Sequence, residues 1–71
     1  MKSFAETMLE IMDEKGLKAV DIYRGSDVLT QQYISKLVRG RFDDPTFSKA
    51  LAIIDALGVT PSEFLSRQER P

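Results

Sequence analysis

Cysteine and histidine are both absent from this 71-residue chain. Without them there is no disulfide, no zinc site built from the usual sulfur and imidazole ligands, and no thiol chemistry. A serine nucleophile would also lack its ordinary base. No run comes near the roughly 18 apolar residues that a bilayer span needs. The opening stretch "MKSFAETMLEIMDEK" is acidic and amphipathic, unlike a signal or transit peptide. No Gly-rich phosphate loop occurs, and there are no internal repeats or low-complexity tracts. Nor does any stretch of four to eight residues alternate in the manner of a strand. Together these absences lead us to expect an all-α, soluble, cytoplasmic protein that is not an enzyme, with no cofactor, no metal and no membrane partner. The acids Asp43 and Asp44 are adjacent rather than opposed, and read as residues approaching a helix.

A chain of this size hides only about 60% of its extended surface on folding. With no covalent staple available, stability must come from well-packed helix faces or from a dimer. Residues 1–71 are expected to form a single domain.

Net charge is −1, but it is unevenly placed. Residues 1–16 set Lys2 and Lys15 against Glu6, Glu10, Asp13 and Glu14, for −2. Residues 17–41 set Lys18, Arg24, Lys36, Arg39 and Arg41 against Asp21 and Asp27, for +3. The remainder returns to −2. An acidic chain therefore carries a basic middle, the local form of the electrostatic footprint of a nucleic-acid-binding domain.

Five short helices can be read along the chain. The first spans residues 3–15, opened by the capping box Ser3–Glu6 and closed by Gly16, with Phe4, Ala5, Met8, Leu9, Ile11 and Met12 as its apolar stripe. The second spans about 18–25, with Ala19, Ile22 and Tyr23 turned inward. Ser26 to Leu29 make a turn. The third starts at the cap Thr30 and ends at Gly40. "RFDDP" is a loop. The fourth spans 46–57 and carries Phe47, Ala50, Leu51, Ile53, Ile54 and Leu57, the strongest 3.6-residue period in the chain. The fifth spans about 61–67, with a capping box at Thr60–Glu63, Pro61 at its first position, and Phe64 and Leu65 apolar. Residues 66–71 are expected to fray.

The third helix decides the functional reading. On a wheel of 100° per residue, Ile34, Leu37 and Val38 fall within about 100° and must face the core. Gln32, Lys36 and Arg39 fall within about 60° on the opposite side, flanked by Ser35 and Tyr33. Gln31, in the first turn, can project past the helix end. A glutamine can pair two-pronged with the N6 and N7 edge of adenine, and a lysine can donate to guanine O6 and N7. Thr30, Arg39 and Arg41 stand at the ends, where phosphates flank an inserted helix. Any exposed helix carries such residues. Here they follow a short helix and a turn, in helix-turn-helix order over about residues 18–40.

From Gly16 to Leu65 the chain resembles the phage repressor and Cro helix-turn-helix family, which includes xenobiotic-response-element type regulators. The segments "TQQYISKLVRG" and "ALGVTPSEFL" carry the resemblance, with Pro45 after a short loop between them. It implies a compact five-helix, lambda-repressor-like fold and a transcription regulator, a repressor, that binds double-stranded DNA. By position it implies that Gln31, Gln32 and Lys36 contact bases. Lys18, Thr30, Tyr33, Arg39 and Arg41 would contact phosphates.

Three departures from the family pattern stand out. Between Ile22 and Ile34 the chain is one residue longer, so Asp27 or Val28 stands where a turn glycine is usual. Tyr23 replaces a small alanine. Met12 and Val38 occupy the positions of a buried Arg–Glu pair; both partners have changed together, which leaves no unpaired buried charge.

One short helix offers little to a duplex, so a homodimer reading half-sites about 34 Å apart is expected. Pro61 and Phe64 are the expected seam, with Leu65 closing the core. The alternative is a protein-binding module, such as an antitoxin or an assembly partner, in which the acidic first helix faces a basic protein.

Overall fold

A computed structural model of the chain describes residues 2–40 and 45–70. Its helices are α1 (Phe4–Lys15), α2 (Ala19–Tyr23), α3 (Gln31–Val38), α4 (Phe47–Leu57) and α5 (Pro61–Glu69). Among the described residues there is no strand, as the lack of alternation requires. The "RFDD" part of the expected loop, and with it Arg41, Asp43 and Asp44, lies outside the described residues.

Local chemistry sets the helix ends. Ser3 Oγ accepts from the Glu6 N–H at 3.1 Å, and Glu6 Oε1 accepts from the Ser3 N–H at 3.2 Å. This reciprocal pairing satisfies two of the donors that a helix start leaves open. At the other end Gly16 takes φ 68°, and the next N–H, from Leu17, reaches back to the Met12 carbonyl at 2.8 Å. A side chain would be strained at that φ, so glycine is needed where α1 stops. Gly58 ends α4 in the same way, at φ 76°. The Lys15 ammonium donates to the Gly58 carbonyl at 3.3 Å, placing a cation where the α4 dipole is negative.

α2 is shorter than its sequence pattern suggests. It stops at Tyr23 because the Ser26 N–H donates back to the Tyr23 carbonyl at 3.2 Å. The Ser26 hydroxyl then accepts from the N–H groups of Val28 and Leu29, at 3.2 and 3.1 Å. A serine-knit turn thus joins α2 to α3. Val28 is thrown into solvent at 48% exposure, while Leu29 is driven into the core at 3%.

All five helices contribute to one core. Phe4, Met8, Ile11, Ile22, Ile34, Leu37, Ile53, Leu57 and Phe64 are buried, and Met12 is covered beside them. Val38 packs against this core from its edge. Burying a side chain of this size stabilises by about 1.5–3 kcal/mol, which accounts for cohesion without a staple. Among the described residues the one buried polar side chain is Thr7, which donates its hydroxyl proton to the Ser3 carbonyl at 3.0 Å.

The chain ends differ from expectation. α5 runs on to Glu69, past its expected end near residue 67. The Lys2 N–H donates to the Gln68 carbonyl at 2.9 Å, and the Arg67 guanidinium grips both carboxylate oxygens of Glu14 at 2.5 and 2.8 Å. These contacts tie α5 to α1.

Leu65, expected to close the core, is exposed, and its neighbour Phe64 is covered. The Phe64 ring stacks on Phe4, centroids 4.6 Å apart, and is 1% exposed, whereas Leu65 is 52% exposed. Phe64 therefore holds α5 to α1 and is not a surface residue. Leu9, Phe47 and Leu51 also lie outside the core to which the helical stripes assigned them.

Candidate nucleic-acid interface

The placement of α3 follows from its two faces. Ile34 and Leu37 are fully buried, which fixes the rotation of the helix. Its start is fixed by Thr30, whose hydroxyl accepts from the Tyr33 N–H at 3.1 Å. With rotation and start both set, Gln31, Gln32, Lys36 and Arg39 are exposed, and Ser35 is half-buried between them. These five residues line a shallow concavity of about 380 Å³. Gln31, which by wheel position lies off the line of the others, joins the same concavity.

Among the described residues neither Lys36 nor Arg39 is held in an ion pair. Both charges are therefore available to an anionic partner. An α-helix with its side chains is about 10–12 Å across, which fits a B-DNA major groove, about 12 Å wide. The surface thus combines groove-sized dimensions, amides able to read base edges, and unneutralised cations.

The other expected contact residues are placed less centrally. Lys18 is exposed at the start of α2, where its backbone N–H donates to the Asp21 carboxylate at 2.8 Å. It does not line the concavity. Tyr33 is half-buried on the flank of α3, with the Lys49 ammonium 4.2 Å from its ring centroid. Burial pushes its phenol above the usual range. Among the described residues no three acidic side chains converge as a metal site would require.

A helix-turn-helix family model matches residues 8–64, most of the chain. The protein belongs to the helix-turn-helix family of the phage repressor and Cro type. No curated protein and no solved structure matches it. The matched region of this helix-turn-helix protein takes in α2, the Ser26 turn and α3, and membership makes it a DNA-binding regulator. Among the described residues, no helix is long and apolar enough to cross a membrane.

Sequence reasoning missed two features of this helix-turn-helix protein. Lys49 is one, since nothing in the sequence pairs a residue of α4 with a ring of α3. Phe47 (79% exposed) and Leu51 (39%) were counted as core. A signal was available for both. On the α4 wheel they lie about 70° and 110° from the centre of the buried Ile53, Ile54 and Leu57, beyond the Ile54 edge of that stripe. With Pro61 and Leu65 they line an apolar groove of about 220 Å³ between α4 and α5.

Proposed function

We propose that this protein is a sequence-specific transcriptional repressor that binds double-stranded DNA as a homodimer, with α3 in the major groove. One observation carries this reading: Gln31, Gln32, Lys36 and Arg39 stand exposed together on a helix whose opposite side is locked in the core. Glutamines 31 and 32 read base edges, assisted by Lys36. Arg39, Thr30 and Lys18 hold phosphates and so fix the register. Repression follows from occupancy, since a protein seated in the groove excludes other proteins from the same site.

The two-copy arrangement is supported by the apolar groove between α4 and α5, whose lining includes both expected seam residues, Pro61 and Phe64, beside the exposed Phe47, Leu51 and Leu65. Exposed apolar side chains gathered in one place are costly on a monomer and mark association surfaces. Each copy measures 30 × 23 × 21 Å, so two side by side can present α3 to half-sites about 34 Å apart. Leu65→Glu is expected to yield a folded monomer by sedimentation; retained dimers would move the seam elsewhere.

Selection of binding sites from random duplexes tests the reading directly. A defined, two-fold symmetric sequence is expected. Recovery of no preferred sequence would refute base reading by α3.

A further inference from the structure

Lys49 stands on α4, yet its ammonium lies over a ring that belongs to α3. That ring, Tyr33, is well anchored. Its backbone N–H is held by the Thr30 hydroxyl, and its side chain packs against the core. On the α3 wheel Tyr33 is about 60° from Lys36, at the border between the core side and the solvent side. A cation from a neighbouring helix is thereby placed at the edge of the surface formed by Gln31, Gln32, Lys36 and Arg39.

The nature of the contact matters. A carboxylate would hold a lysine and also cancel its charge. An aromatic face holds the ammonium through the ring quadrupole and leaves the full positive charge in place, with N–H donors still directed away from the ring. Among the described residues Lys49 is in no ion pair. A helix lying in a major groove has a phosphate backbone along each side, so a fixed, unneutralised cation at the border of α3 stands where one of those backbones would run. We infer that Lys49, seated on the Tyr33 ring, is a phosphate-binding residue of the DNA interface, and that Tyr33 serves as its positioning residue rather than as a phosphate ligand itself. This rests on the DNA-binding reading given above.

The test is the salt dependence of binding to the selected duplex, measured for the full chain and its variants. Each phosphate contact contributes about 0.9 to the log–log slope, so Lys49→Met is expected to flatten it by ~0.9 per chain and ~1.8 per dimer. Between 50 and 200 mM salt this narrows the affinity ratio roughly twelvefold. The loss should be equal on selected and scrambled duplexes. Lys49→Arg and Tyr33→Phe, which keep a cation on a ring, should retain the original slope, while Tyr33→Leu falls between. A pair that serves stability alone would shift the melting temperature of Lys49→Met and leave the slope intact, and that result overturns the proposal. So does a Tyr33→Leu protein that behaves like Tyr33→Phe. If Lys49→Met melts early, Lys49→Gln reads the same slope in a side chain of similar length. Absence of salt-dependent duplex binding by the unsubstituted protein would sink the DNA reading itself. A steep original slope that Lys49→Met leaves unchanged sinks the Lys49 assignment alone.

Discussion

On the α1–α5 side of the molecule Arg67 is surrounded by carboxylates. Glu14 takes it two-pronged, Glu10 and Glu63 each stand 3.7 Å away, and Lys2 closes the cluster by pairing with Glu10. On α3, Lys36 and Arg39 carry the same charge and stand among amides, with no carboxylate partner among the described residues. The first cluster is satisfied within the chain and joins its two ends. The second is left open toward solvent. Counting basic residues along the sequence separates the two only partly, because what distinguishes them is whether the fold supplies a counter-charge. A cation that is already paired contributes to the architecture; an unpaired one remains available for a partner.

Four experiments test this contrast. The largest effect is expected from Lys36→Glu combined with Arg39→Glu. Duplex binding should weaken by more than about a hundredfold, because contacts with phosphate and base are lost and repulsion is added. The melting temperature should barely move, since exposed substitutions away from packing usually change stability by less than about 0.5 kcal/mol. A protein that unfolds instead would show that the α3 charges are structural.

Next in size are the single changes on α3. Gln32→Ala should cost about 1–3 kcal/mol on the selected duplex and relax preference at one base position, as seen by repeating the site selection. Arg39→Ala should weaken every sequence alike and lower the salt slope by about 0.9 per chain. If both variants lose affinity uniformly, the division between base reading and phosphate holding is wrong.

A smaller effect, and of the opposite kind, is expected from Arg67→Ala. It should lower the melting temperature while leaving the salt slope of duplex binding unchanged. The stability difference should shrink as ionic strength rises, because exposed charges are screened. A loss of DNA affinity at full folding would move Arg67 into the interface.

The smallest is a pH effect. The Glu14 carboxyl is held below its ordinary value of 4.5 by its hydrogen bonds and charge contact with Arg67. A lowered folded-state pKa contributes stability above the unfolded value, and that contribution is lost as pH falls through the folded value. Acid melting curves should therefore decline less steeply below about pH 4.5 for Glu14→Gln than for the original chain. Equal acid sensitivity in both proteins would show that the Glu14–Arg67 pairing does not persist in solution.

Local patterns were legible before any tertiary contact was known. The Ser3–Glu6 box, the glycine stops at 16 and 58, and the Thr30 cap are short-range effects, each set by a few neighbouring residues. The exposed row Gln32, Lys36 and Arg39 was legible for a related reason. Once Ile34 and Leu37 are assigned inward, 100° per residue leaves those three no other direction.

Features that depend on packing between helices could not be read in this way. Phe64 and Leu65 are adjacent, equally apolar and on one short helix, so only the presence of Phe4 opposite decides which of them is buried. The extension of α5 to Glu69 depends on Glu14 and on Gln68 meeting Lys2, contacts that span most of the chain. The seating of Lys49 on Tyr33 likewise needs α4 to lie across α3. The sequence alone determined the capped starts of α1 and α3, the glycine stops of α1 and α4, and the outward side of α3, because backbone capping and helical periodicity act over three or four residues. Tertiary structure decided which apolar residues are covered and which charges stay unpaired, because burial and pairing depend on residues far apart in the chain.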